Sequence, residues 1–297
     1  MKKVLFIISA IVLIIISIFS CSRCHKTVDL TTSSTHINTP REKQLKISIL
    51  LDLSDRITVP GIKDNDIENV KTITEFFKKN MADLGAYKAK GKIRIFFSPT
   101  PSNSNVNSLV NNLNIDCSGM DNKGRKSVYD GITELYFQNL EGIYQEVLAS
   151  SDWHGADIWR FFKDDVSDFC IERDTNYRNI LIILTDGYLY HQQSVYQNEN
   201  RYTYLLANNI SPYRNMNWKD RIERDNFGIL TERNDLSNLE VLVLEVKSKN
   251  NKIDEDILKH LWKKWFQEMS ISHYEVYQSD LPANTKTRIE NFLINSL

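Results

Sequence analysis

The chain predicts an α/β fold, a mainly parallel sheet with helices on both faces, and three observations carry that expectation. The short runs 45–53 and 179–184 are largely apolar, as strands buried on both faces require, and 92–97 and 239–246 are further strands. Segments with apolar residues at helical spacing lie between them. Strand, helix and strand then alternate over most of 44–297, the order of parallel pairs joined by crossover helices.

The elements follow in order. Residues 45–53 form the first strand, and 64–81 a helix with Ile67, Val70, Ile73, Phe76 and Phe77 on one side. A second strand over 92–97 stops at Pro99-Thr100-Pro101, which breaks regular structure, and a short helix is expected over 106–113. Tyr129, Ile132, Leu135, Tyr136, Leu140, Ile143 and Val147 share a face of a long helix over 127–150, and 156–171 is another. Residues 179–184 are the central strand, 239–246 a further strand, 255–269 a helix, 273–277 a short strand and 283–295 the closing helix. Trp153, Trp159, Trp262 and Trp265 fall in or beside helices, as packing residues do. The charged run 247–256 is expected as a solvated turn, and Glu68, Glu75 and Asp83 as an exposed helix face.

Residues 188–230 break the alternation. They hold Tyr188, Tyr190, Tyr196, Tyr202, Tyr204 and Tyr213 among many Asn, Gln and Arg residues, and begin directly after Thr185-Asp186-Gly187. A long insertion in a compact domain is commonly functional or disordered. Alternating Tyr-x-Tyr pieces suit a small hairpin. The aromatic and Arg content equally suits a recognition surface, with Tyr188 and Tyr190 nearest the strand end.

The first twenty residues are expected to lie outside the fold. Lys2 and Lys3 lead an apolar run over 4–19 that ends in Ser20-Cys21, the layout of a secretory signal. Ile18-Phe19-Ser20-Cys21 resembles a bacterial lipobox, which makes Cys21 the expected lipidation site. An uncleaved membrane anchor is the alternative. Residues 21–43 are polar, rich in Thr and Ser and without periodicity, as a flexible tether would be. Both readings put 44–297 outside the cytoplasm and bound to a membrane, and no acidic run follows Cys21, which favours the periplasm. Loss of Lys2 and Lys3 lowers the 37 basic residues to 35 against 38 acidic ones, a net of −3. That balance argues against a nucleic-acid partner. Of the remaining cysteines, Cys117 and Cys170 suit either a bridge or two buried thiols, with Cys24 left over.

Two strand ends carry the chemistry. Ile47-Ser48-Ile49-Leu50-Leu51 runs into Asp52-Leu53-Ser54-Asp55-Arg56, and Ile180-Leu181-Ile182-Ile183-Leu184 runs into Thr185-Asp186-Gly187. In open parallel sheets ligands bind at the carboxyl ends of strands, so Asp52 and Asp186 should face one negatively charged cleft. No other group competes strongly: His154 and His191 read as surface histidines, and no Cys or His spacing suits a structural zinc.

These pieces resemble the metal-ion-dependent adhesion site of von Willebrand factor A domains, whose pattern is Asp-x-Ser-x-Ser after the first strand, a Thr on a later loop and an Asp after the central strand. Asp52 and Ser54 match the first part and Asp186 the last, while Gly124-Arg125-Lys126-Ser127 before a helix places Ser127 as the middle ligand. The resemblance covers residues 44–297 and implies a Rossmann-like three-layer sandwich with Mg2+, Mn2+ or Ca2+ on Asp52, Ser54, Ser127 and Asp186. Hydroxyl and carboxylate oxygens are the hard ligands such ions take. It also implies a position left open on the metal for a partner's carboxylate, and so a binding switch for another protein.

Arg56 stands where the family has its second serine. A guanidinium offers no lone pair to a metal. It could pair with Asp52 or Asp186 in the metal's place, so that the site needs no metal, or point outward and touch the partner while Asp55 contributes near the rim. The leading expectation is therefore a non-enzymatic, membrane-tethered protein-binding module of the bacterial cell envelope. A metal-dependent phosphoesterase is a second reading, weakened because Ser54 stands where such enzymes want another Asp. An inert structural envelope lipoprotein is a third.

Overall fold

In the computed structural model the described residues are 43–150, 155–248 and 251–295, all within one compact unit, Glu42–Leu297. The expected signal, Cys21 and nearly all of the tether lie outside them, as do His154 and Trp153. Among the described residues no helix is long and apolar enough to cross a membrane.

The α/β expectation holds. Strand β1 (Gln44–Leu51) lies between β2 (Lys92–Phe96) and β4 (Tyr177–Leu184), parallel to both. Further parallel strands β8 (Leu239–Val246) and β9 (His273–Gln278) extend the sheet past β4, and β3 (Asn114–Asp116) closes the other edge antiparallel to β2. The six-stranded order is β3–β2–β1–β4–β8–β9. Helices α1 (Ile62–Leu84), α2 (Ser104–Asn111), α3 (Asn122–Ala149), α4 (Ile158–Arg160), α5 (Val166–Cys170), α6 (Ala207–Ile210), α7 (Trp218–Arg224), α8 (Lys252–Glu268) and α9 (Pro282–Ile294) complete the chain. The helix expected over 156–171 runs unbroken from Ile158 to Cys170, with a π turn over Phe161–Asp165 between α4 and α5.

The central strand is buried on both faces, and its side chains split between two cores. Ile180, Ile182 and Leu184 pack with Phe77, Tyr136 and Phe292, whereas Leu181 and Ile183 pack with Phe161, Trp262 and Trp265. Each such apolar side chain gains about 1.5–3 kcal/mol on full burial, which explains the unbroken apolar run Ile180–Leu184. Leu51 of β1 pairs with Leu184 of β4, so Asp52 and Thr185 emerge side by side.

Strand β3 is absent from the expected elements, and its presence reverses the expected course of the chain beyond it. Because it runs antiparallel, it returns the chain to the amino ends of β1 and β2 before α3 begins. There the Cys117 amide donates to Gly91 O, just before β2, and Arg125 donates to the carbonyls of Ala86, Tyr87 and Cys117. Helix α3 then rises, and its last turns reach the carboxyl ends. Cys117 and Cys170 are separate buried thiols and form no bridge; burial pushes them up to about 11 and about 12.

The insertion contains the expected hairpin, β5 (Gln197–Asn198) with β6 (Arg201–Tyr202), and β7 (Gly228–Ile229) adds parallel to β6. Its Leu205, Ile210, Ile222 and Phe227 join the second core, and Tyr213 stacks on Phe227 at 4.4 Å between ring centroids. The run 247–256 is not simply a solvated turn: Asp254 is fully buried, and Arg214 donates to both its oxygens at 2.7 Å.

Candidate functional site

The ends of β1 and β4 open into a cavity of about 540 Å³, lined by Asp52, Ser54, Asp55, Asp186, Tyr188 and Tyr190 together with Gly155, Ala156, His191, Gln192, Gln193 and Leu206. A second cavity of about 460 Å³ adjoins it, sharing Gly155, Ala156, His191 and Gln193 but walled by Leu51, Leu53, Phe97, Pro99 and Val147.

Asp52 is held rigidly at the floor. Its Oδ1 accepts the Ser54 amide at 2.9 Å and its Oδ2 accepts the Thr185 hydroxyl at 2.8 Å. Thr185 is fully buried and escaped the sequence reading, although it precedes Asp186 in the motif quoted for that strand. Asp186 Oδ1 accepts the Tyr188 amide at 3.1 Å. Burial first, and then the charge of Asp52, push the Asp186 carboxyl up to about 7. The chain leaves through Gly187 at φ +91°, where an added Cβ would meet Val246 at 3.0 Å, so glycine serves both the turn and the packing.

Arg56 corrects an expectation. It is fully buried, so it does not point outward to a partner, and it pairs with neither the Asp52 nor the Asp186 carboxylate. Its Nε donates to the backbone oxygen of Asp52 at 2.9 Å, and Nη2 donates to Leu184 O at 3.0 Å and to Asp66 Oδ2 at 2.6 Å. The sharp 3-10 turn Asp55–Thr58 folds it beneath the strand ends. Burial opposes its charge, but Asp66 foremost, then Tyr144, Asp52 and Asp186, raise its pKa above the ordinary arginine value. Tyr144 donates to the same Asp66 oxygen at 2.5 Å. Burial pushes Asp66 up to about 6, with Arg56 and Tyr144 pulling the other way.

Ser127 is also misplaced by the sequence reading. It lies exposed near the start of α3, beside Lys123 and Asp130, at the amino-end side of the sheet. The loop that does reach the cleft comes after α3, where Gly155 and Ala156 are seen and residues 151–154 lie outside the described set.

Tyr188 and Tyr190 both line the cavity but differ in freedom. The Tyr188 hydroxyl donates to Ser248 Oγ at 3.1 Å and Asp254 Oδ2 at 3.2 Å, which ties the ring to the buried Arg214–Asp254 pair. Tyr190 is 49% exposed and Tyr196, further along, 58%. His191, expected at the surface, is largely buried with Nδ1 3.2 Å from Asp157. Asp157 also caps α4 by accepting the Arg160 amide at 3.2 Å.

No family description matches the chain, nor does any curated protein. Among solved structures, the pilus adhesin SpaC from Lactobacillus rhamnosus GG is similar at a TM-score of 0.40 and 12% identity, over 84% of this chain and 30% of that one.

Asp52, Ser54 and Asp186 are chemically suited to a hard divalent cation, since each carboxylate oxygen retains a lone pair beyond its described hydrogen bond. Among the described residues no three His, Cys, Asp or Glu side chains are grouped to hold a metal by themselves, so a hydroxyl and an outside ligand would complete such a shell.

Proposed function

We propose that this chain is a non-enzymatic binding module that engages another protein through the cleft at the ends of β1 and β4, in the manner of a von Willebrand A domain. The single observation behind the reading is electrostatic. Asp52 and Asp186 share a cavity in which, among the described residues, no lysine or arginine takes part, and Asp186 is pushed up to about 7 as a result of burial and of Asp52. A cleft that disfavours its own charge gains from an incoming cation. In this reading Mg2+, Mn2+ or Ca2+ is held by Asp52, Ser54 and Asp186 and leaves a position for a partner's carboxylate. Tyr190 at the rim supplies apolar contact, and Tyr188 fixes the wall behind it. A lipid on Cys21 would keep the module at the membrane of the cell envelope, on the periplasmic side.

Thermal melts of the full-length protein with each of the three cations, then with chelator, test the cation half of this reading. The expected result is a reversible rise in Tm that is lost in Asp186→Ala, because a ligand of the native state adds stability. Capture of an envelope partner by wild type but not by Asp186→Ala is expected of the binding half. Equal capture by both would overturn the assignment of the cleft.

A further inference from the structure

We propose a second binding site on this protein, for a small oxyanion of the phosphate class, on the half of the sheet remote from the acidic cleft. It does not depend on the function proposed above.

The site follows from strand register. Lys46 of β1 pairs with Lys92 of β2 and Ser48 with Arg94, while across the edge Lys92 pairs with Asp116 and Arg94 with Asn114. Side chains two apart on a strand share a face, so these residues converge on one side of the sheet. A cavity of about 170 Å³ opens among them. Asp52 lies six residues beyond Lys46, roughly 20 Å away along an extended strand.

Three cations meet two carboxylates here. Glu172 lies 2.8 Å from Lys92 and 4.0 Å from Lys46, and Asp116 lies 3.2 Å from Lys92. Arg94 has no carboxylate within salt-bridge distance among the described residues. Its Nη2 donates to the Phe169 carbonyl, its guanidinium lies 4.4 Å over the Phe169 ring, and its Nε is buried without a hydrogen-bond partner. The Lys46 side chain is only 13% exposed, with Glu172 as its one distant counter-charge. Burial holds Arg94 below its ordinary pKa; burial also lowers Lys46, opposed by Glu172 and reinforced by Arg94 and Lys92.

Cations removed from water without a counter-charge are costly, and an oxyanion relieves that cost. Arg94 offers such an ion the guanidinium hydrogens not taken by the Phe169 carbonyl, and Lys46 and Lys92 add point charges. The cavity has room for one small oxyanion with a few waters.

The test is titration of the full-length protein with inorganic phosphate at constant ionic strength, read by calorimetry, with sulfate and acetate as competitors. Expected are phosphate binding by wild type, displacement by sulfate, a loss of about tenfold or more in affinity in Arg94→Gln, and a several-fold gain in Glu172→Gln, which removes a competing negative charge. Lys46→Gln should weaken binding in the same direction, and carries the test if Arg94→Gln fails to fold. Equal affinity in wild type and these variants, or no binding by wild type at millimolar phosphate, would overturn the site. Displacement by acetate and not by sulfate would overturn the phosphate class.

Discussion

Asp66, fully buried, and Asp186, half-buried in the cleft, are two carboxylates at the same end of one sheet, and they are treated differently. Asp66 receives the Arg56 guanidinium at 2.6 Å and the Tyr144 hydroxyl at 2.5 Å on a single oxygen. Asp186 receives one described hydrogen bond, a backbone amide, and faces Asp52. Burial pushes both carboxyls up, to about 6 for Asp66 and about 7 for Asp186. One site carries its cation within the chain, whereas no described lysine or arginine lines the other. The arginine that sequence places in the cleft is thus spent on the structural pair, and it leaves the cleft acidic.

Breaking the structural half of this contrast should have the largest effect. Arg56→Met leaves Asp66 buried without its cation, and a loss of about 3–5 kcal/mol is expected by chemical denaturation. Adding Asp66→Asn should recover part of it, since the uncompensated charge goes; equal stability of the single and double variants would break the pairing argument. At the small end, Ser127→Ala sharpens the boundary of the cleft. Ser127 is exposed on a helix, so stability should change by no more than about 0.5 kcal/mol. Any cation-induced rise in Tm should be unchanged, and loss of that rise would return Ser127 to the site.

Much of this was legible from residues. The apolar runs ending at Asp52 and Asp186 located both strand ends, because burial on two faces writes itself as unbroken hydrophobicity. Three-dimensional direction was harder to read. The strand Asn114–Asp116 is too short and too polar to signal itself, yet it decides which end of α3 meets the cleft. Missing it sent the middle ligand to Ser127, which the chain carries to the amino-end side of the sheet. The destination of Arg56 was half legible. Asp66 lies on the same helical stripe as Val70, Ile73 and Phe77, and a carboxylate on a buried stripe demands a partner. Glu245 carried a similar signal within the apolar β8; it is buried and accepts from Asn69 at 3.1 Å and from the Ser279 hydroxyl at 2.7 Å. The insertion showed its hairpin through its tyrosines but not which of them are core, because Tyr213 and Tyr190 look alike until packing separates them.

The penalty on the charged form of Asp186 is tested most directly by the stability of wild type relative to Asp186→Asn as pH is varied without divalent cations. A carboxyl raised from its ordinary value near 4 to about 7 contributes stability that is present below pH 4 and lost as pH rises through 7. Wild type should therefore fall steadily behind the variant across that window, by about 1–4 kcal/mol at the upper end. A difference between the two proteins that stays flat from pH 4 to pH 7 would contradict the account.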